Sequence, residues 1–345
     1  MAENPTPQRG LRGHRLVRPL PRARNSAEHH AWLAHHLTPR DRWLARMLFE
    51  HKVFTTHQIT DLAYPSQRAA NMRLLNLYKW GVVHRFRPHR DVGTHPMYYI
   101  LDSAGATMLA HEEGIEPSAL NYNRDREIGR AYSLQLAHLV GCNGLFTSLV
   151  RQSGQPGTTG QLTAWWSAAR CGRHWGDIVT PDGYGRWRQA GLDVEWFMEF
   201  DFGTEQLARL AGKLVRYERL ADTTGITTPI LMWFPTTARE VTARRALLDA
   251  LQGLRRPHQV PVATTHANAA RDPLDASEAR WLPVGATPTA GRTALTDLPT
   301  LWPHLPPPTP PLESAGQPAI SRSDVAPPRP TPPVLSGHHM KRATS

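Results

Sequence analysis

From Asp193 to Phe202 the chain sorts its residues by parity: Asp193, Glu195, Phe197, Glu199 and Asp201 alternate with Val194, Trp196, Met198, Phe200 and Phe202. Alternation with period two marks a β-strand, whose successive side chains point to opposite faces. One face is apolar and fit for a core, and the other carries four carboxylates. Same-face neighbours stand about 6.5 to 7 Å apart, close enough for two acids to share a bound cation. Asp182 lies shortly upstream in Thr180-Pro181-Asp182-Gly183. The strand is either a metal-binding face of nuclease type or a solvated sheet face, and its neighbours in the chain bear on the choice.

A chain of 345 residues has room for two modest domains and a tail. Its formal net charge of +11 favours an anionic partner, either nucleic acid or an anionic membrane surface. A spanning helix needs about 20 consecutive apolar residues. Runs such as Ile230-Leu231-Met232-Trp233-Phe234 are only strand length, so no membrane association is expected. No apolar stretch follows the N-terminal arginines, which is unlike a signal peptide. The two cysteines, Cys142 and Cys171, have neither the spacing of a zinc knuckle nor the number for a disulfide framework, and a cytoplasmic location is expected.

Residues 1–35 read as a disordered basic arm, with Arg9, Arg12, Arg15, Arg18, Arg22 and Arg24 separated by polar residues and prolines. Residues 256–345 read as a mostly disordered proline-rich tail, with a short ordered piece near Trp281 and Leu282 and a protein partner for the proline segments.

Between the tails, residues 36–115 carry three helices and a hairpin. Thr38-Pro39-Arg40-Asp41 starts the first helix, with Thr38 as cap and Pro39 in the first turn. A short second helix carries Ile59 and Leu62, and a third runs through Arg68, Met72 and Leu75 to a stop at Gly81. Strands follow over 82–87 and 96–101, around a turn containing Asp91 to Gly93. This is the layout of a winged helix-turn-helix domain, whose third helix would enter the major groove of double-stranded DNA. Ser66, Gln67, Arg68, Asn71 and Arg73 are the base- and phosphate-contacting candidates on that helix, and Arg85, Arg87, His89 and Arg90 those on the wing. A winged helix can also serve protein contacts, but the density of arginine favours DNA.

Residues 126–253 read as an α/β domain: a helix over 127–152, strand-like runs over 162–171, 177–187 and 192–202, a helix over 205–221, a strand over 228–234, and a helix over 238–251. His138 on the first helix suits a partial-core residue better than a ligand. Gln206, Arg209, Lys213 and Arg216 share one stripe of the later helix, with Leu207, Leu210, Leu214 and Tyr217 on its core side. The fold class is thus α+β for the first domain and α/β for the second.

The order of helix, three strands, helix, strand and helix resembles the core of the PD-(D/E)xK nuclease-like fold. In that resemblance Asp182 of Pro181-Asp182 is the first acid and Glu199 the second, while position 201 holds Asp where the pattern has Lys. Some branches place the lysine on the following helix, where Lys213 stands. The resemblance implies Mg²⁺ on Asp182, Glu199 and Asp201, with Lys213 stabilising charge on a scissile phosphate.

Leu37-Thr38-Pro39-Arg40-Asp41, the winged helix, and Phe197-Met198-Glu199-Phe200-Asp201-Phe202-Gly203-Thr204-Glu205 leading to Lys213 and Tyr217 together resemble the actinobacterial replication-relaxation family. The resemblance covers about 36–252 and implies a DNA-binding role in plasmid or mobile-element replication initiation and DNA relaxation. A Mg²⁺-dependent endonuclease and a transcriptional regulator are the alternatives. None of the 18 histidines forms the His-hydrophobic-His arrangement of rolling-circle relaxases, a Walker A loop is absent, and His111-Glu112-Glu113 lacks the second histidine of a zinc-protease helix.

Overall fold

The computed structural model describes residues 6, 8–11, 20–89, 94–133, 135–203, 205–269, 279–287, 291–308 and 325–333. Arg90 and the turn from Asp91 to Gly93 lie outside the described residues, as do Arg12, Arg15 and Arg18. The chain is a mixed α and β protein that divides into two compact units.

One unit gathers residues 15–87, 96–131 and 321–345. Its elements are α1 (Ala27–His36), α2 (Pro39–His51), β1 (Phe54–Thr55), α3 (Thr56–Ala63), α4 (Gln67–Lys79), β2 (Val83–Phe86), β3 (Tyr98–Leu101), α5 (Ser103–Glu112) and α6 (Arg124–Gly129). Local chemistry sets the helix starts. Thr38 and Asp41 form a reciprocal capping box on α2, Thr55 and Gln58 form another on α3, and the Ser66 hydroxyl accepts from the Ala69 amide at 3.3 Å to start α4. The three strands form an antiparallel sheet in the order β1-β3-β2. Leu44, Met47, Ile59, Leu74, Leu77 and Ile100 are fully buried in the core.

Order begins earlier in this unit than the expected basic arm over 1–35 allows. Ser26 caps α1, Leu33 is buried, and the Arg22 guanidinium pairs with the buried carboxylate of Asp102 while donating to Tyr78 O at 3.0 Å and Val83 O at 3.3 Å. An arginine that looks solvated by composition is here the partner of an interior acid, which also accepts from Arg124 at 2.9 Å.

The second unit gathers residues 1–14, 88–95 and 132–320. It contains α7 (Leu136–Ser153), β4 (Gln161–Ser167), α8 (Ala168–Trp175), β5 (Gly183–Gln189), β6 (Leu192–Phe200), α9 (Leu207–Thr224), β7 (Ile230–Phe234), α10 (Thr237–Gln252), β8 (Val262–His266), β9 (Leu282–Pro283) and α11 (Leu298–Leu301). The strands form a six-stranded sheet in the order β4-β5-β6-β7-β8-β9. The strands β4, β5 and β6 pair antiparallel, β6, β7 and β8 pair parallel, and β9 closes the edge antiparallel.

Both faces of β6 are covered. Trp196 stacks on Phe146 of α7 with ring centres 6.0 Å apart, while Phe197 on the opposite face packs with Leu210, Leu214 and Tyr217 of α9. Of the two readings of the acidic face, the solvated sheet face is therefore set aside. Its acids have found partners: Glu195 accepts from the Tyr184 hydroxyl at 2.7 Å and from the Thr228 hydroxyl at 2.9 Å, and Arg188 donates to Asp193 at 3.0 Å.

Three further expectations change. The helix expected over 127–152 is two helices, α6 and α7, which fall in different units. The strand expected over 162–171 ends at Ser167, whose side chain accepts from the Arg170 amide and caps α8. The tail expected from 256 onward instead supplies β8, a buried strand with Val262, Ala263, Thr264 and Thr265 all at most 3% exposed. A parallel strand covered on both faces shows no alternation, so period-two reasoning passes over it. Beyond β8 the chain stays tied to α10, where Glu240 accepts from Arg292 at 2.5 Å and Arg244 donates to Leu282 O at 2.7 Å.

Candidate functional site

At the C-terminal end of β6 the sheet brings together side chains from four elements. Asp182 stands immediately before β5, and its amide donates to Met198 O at 3.0 Å, fixing the backbone against β6. Its Oδ2 accepts from the Phe200 amide at 2.8 Å and from His138 Nε2 of α7 at 3.0 Å. Because an ionised carboxylate can only accept, His138 carries its proton on Nε2 in that contact. A Cβ on Gly141, three residues along α7, would come within 2.7 Å of the Phe200 ring. The bare glycine lets the helix lie close to the sheet, which is how His138 reaches Asp182.

From the other face, Lys213 Nζ of α9 donates to Glu199 Oε2 at 2.7 Å, and the Tyr217 hydroxyl donates to Glu199 Oε1 at 2.6 Å. Lys213 and Tyr217 are four residues apart, one helical turn, and so reach the same carboxylate. Glu205 Oε2 lies 3.5 Å from the same Lys213 nitrogen.

The electrostatics follow from burial and crowding. Burial and the neighbouring Asp182 charge push the Glu199 carboxyl up to about 7, against the pull of Lys213 and Tyr217. Asp182 moves the other way: burial opposes its charge, but the His138 hydrogen bond and charge, Lys213 and the Phe200 amide outweigh it and hold its carboxyl below the ordinary range. Burial also works against the His138 imidazolium, and Asp182 overcomes it, raising the imidazole above its usual value. Lys213 is likewise held protonated, the Glu199 and Asp182 charges overriding its desolvation.

Exposure grades across the group. The Glu199 side chain is 2% exposed, Asp182 19%, Lys213 23% and His138 37%. His138 and Lys213 are thus the more exposed members, and Glu199, whose carboxyl is pushed up to about 7, is the most buried. A carboxyl raised in this way can exchange a proton near neutral pH.

Of the four residues expected here, the structure gathers three. Asp182, Glu199 and Lys213 share the site, whereas Asp201 is withdrawn: its Oδ2 accepts from Arg239 Nε of α10 at 2.7 Å and its Oδ1 from the Gly203 amide at 2.7 Å. Among the described residues no group of three or more His, Cys, Asp or Glu side chains is arranged to hold a metal ion. Asp201 is thus taken up by Arg239 and Gly203, and the two Glu199 oxygens are taken up by Lys213 and Tyr217. Tyr217 and His138 are the members that sequence reasoning placed in the core. The four-residue spacing of Tyr217 from Lys213 was the available signal for one, and nothing in the sequence pairs His138 with Asp182.

The other candidate surface is α4. Ser66, Gln67, Arg68 and Asn71 are exposed on its first two turns, beside Met72, which is 64% exposed. Arg73 differs from them, correcting its expected place on the reading face. Its Nε donates to Asp41 Oδ1 at 2.9 Å, its second nitrogen pairs with Oδ2, and the guanidinium lies 4.9 Å from the centre of the Trp80 ring. Arg85 is also engaged internally, 4.4 Å from the centre of the Tyr78 ring, and Arg87 is half-buried.

No curated protein and no solved structure matches this chain. The family model described as replication-relaxation matches residues 46–237, from within α2 to the start of α10. That stretch is more than half of the 345 residues and includes α4, Asp182, Glu199 and Lys213, and the chain belongs to the replication-relaxation family.

Proposed function

We propose that the chain is a DNA-binding protein acting in plasmid or mobile-element replication initiation and DNA relaxation, and that the unit holding α4 is a winged helix-turn-helix module binding double-stranded DNA. The observation that carries this reading is the contrast on α4: Gln67, Arg68 and Asn71 are exposed on one polar face, while Arg73 is half-buried and paired with Asp41. Side chains that can pair bidentately with base edges are the ones left facing solvent. Three helices followed by the β2-β3 pair, and a net charge of +11, support the same reading. The test is a mobility-shift titration over about 50 to 200 mM salt. Arg68→Ala with Asn71→Ala is expected to weaken binding at least tenfold, about 1.4 kcal/mol or more. Equal affinity and equal salt slope would reject α4 as the reader.

A second reading, a Mg²⁺-dependent endonuclease of PD-(D/E)xK type, is favoured by the convergence of Asp182, Glu199 and Lys213. The order α7, three strands, α9, β7 and α10 is in keeping with it, with α8 inserted between β4 and β5. In this reading Asp182 and Glu199 would hold the ion, which would supply Lewis-acid activation of a phosphodiester. Lys213 and His138 orient the phosphate oxygens. Nicking of supercoiled plasmid in Mg²⁺ that disappears in both Asp182→Asn and Glu199→Gln supports it. Nicking that persists in both variants removes it.

A further inference from the structure

Residues 325–333, Val-Ala-Pro-Pro-Arg-Pro-Thr-Pro-Pro, belong to the same compact unit as α2, although they lie more than 200 positions away in sequence. The segment has no helix or strand, and the chain bends at Pro330 and Thr331. Val325, Pro328 and Pro330 are buried, whereas Ala326 and Arg329 are exposed. A hydrogen bond joins the segment to α2: Trp43 Nε1 donates to Arg329 O at 2.7 Å. Trp43 itself is only 7% exposed.

The chemistry of the two sides is complementary. Five of these nine residues are prolines, which have carbonyl acceptors but no amide donors. The indole nitrogen is a donor without an acceptor, so it offers what such a backbone lacks. Proline also restricts the free segment, so that little conformational entropy is lost on docking. Trp43 and residues 325–333 both lie outside the stretch that matches the family model.

We propose that the surface around Trp43 is a proline-rich peptide site, with residues 325–333 of the same chain as its occupant. The site reads the main-chain carbonyl of residue 329 and the rings of Pro328 and Pro330. It does not read the side chain of Arg329, which faces solvent. The tail expected to seek a protein partner thus has a docking surface on its own chain.

The test uses the full-length protein and a fluorescein-labelled synthetic peptide of residues 325–333, followed by fluorescence anisotropy. The peptide is expected to bind the Pro328→Ala/Pro330→Ala chain at least about tenfold more tightly than the wild type, whose tethered segment competes at high effective concentration. In the same double-variant chain, a peptide carrying Arg329→Ala is expected to bind within about twofold of the parent peptide, and one carrying both proline substitutions at least about tenfold more weakly. These peptide comparisons require no further change in the protein. Adding Trp43→Phe to the double-variant chain, which keeps a ring and removes the donor, is expected to cost binding of the parent peptide. The proposal is overturned if the peptide fails to bind the double-variant chain or binds both chains equally. It is also overturned if Arg329→Ala costs as much as the proline substitutions, or if the wild type forms dimers that the double variant does not.

Discussion

The exposed face of α4 and the cluster at the end of β6 use the same residue types in opposite ways. On α4, Gln67, Arg68 and Asn71 stay in water, whereas around Glu199 and Asp182 every charge is met by a neighbour on the same chain. A surface that faces solvent keeps its cations unpaired; a site that shifts proton affinity crowds its charges and removes water. The difference lies in the neighbours each element provides, which residue identity alone does not reveal. Arg68 and Arg73 make the point within a single helix, since only Arg73 faces the carboxylate of Asp41.

The comparison can be broken most easily at Glu199. Glu199→Ala leaves Lys213 without its nearest buried partner and is expected to destabilise the protein by about 3 kcal/mol, measured by urea denaturation. A destabilisation below about 0.5 kcal/mol would show that the cluster is no more buried in effect than the α4 surface.

A second effect is read against pH. The folded Glu199 holds its proton up to about 7, against an ordinary value of 4.5. The stability this contributes is complete below the ordinary value and is lost as pH rises through about 7. His138, also raised, acts in the same direction. Wild type is therefore expected to lose stability relative to Glu199→Gln between pH 5 and pH 8, with unfolding free energies measured at both. A difference that is flat or of opposite sign would remove the near-neutral carboxyl from the site.

The smallest expected effect sharpens the contrast along α4. Arg73→Ala is expected to cost about 2 kcal/mol in stability, because Asp41 is left buried without its guanidinium. Arg68→Ala is expected to cost less than about 0.5 kcal/mol. Chemical denaturation of the two variants side by side checks both, and equal costs would place Arg68 in the interior scaffold as well.

Much of the framework was legible in the sequence because the signals were local. Thr38-Pro39-Arg40-Asp41 spells out its cap, Ser66 starts α4, and the alternation through Asp193 to Phe200 is a strand whatever surrounds it. The parts that escaped depend on distant partners. The strand β8 shows no period because both its faces are buried, and Asp201 looks like a ligand until Arg239 arrives from a helix 38 residues later. His138 becomes part of a site only through the close seating of α7 that Gly141 permits.

The carboxylate of Asp41 accepts from the Thr38 amide and hydroxyl and also from Arg73, so it is at once a helix cap and a clasp between α2 and α4. Helix ends ordinarily fray, exchanging their amide hydrogens far faster than the core. Here the first turn of α2 cannot open without releasing the arginine of α4. Its amides should therefore exchange more slowly than those of a helix end with no such tie, and Arg73→Ala should restore the fraying.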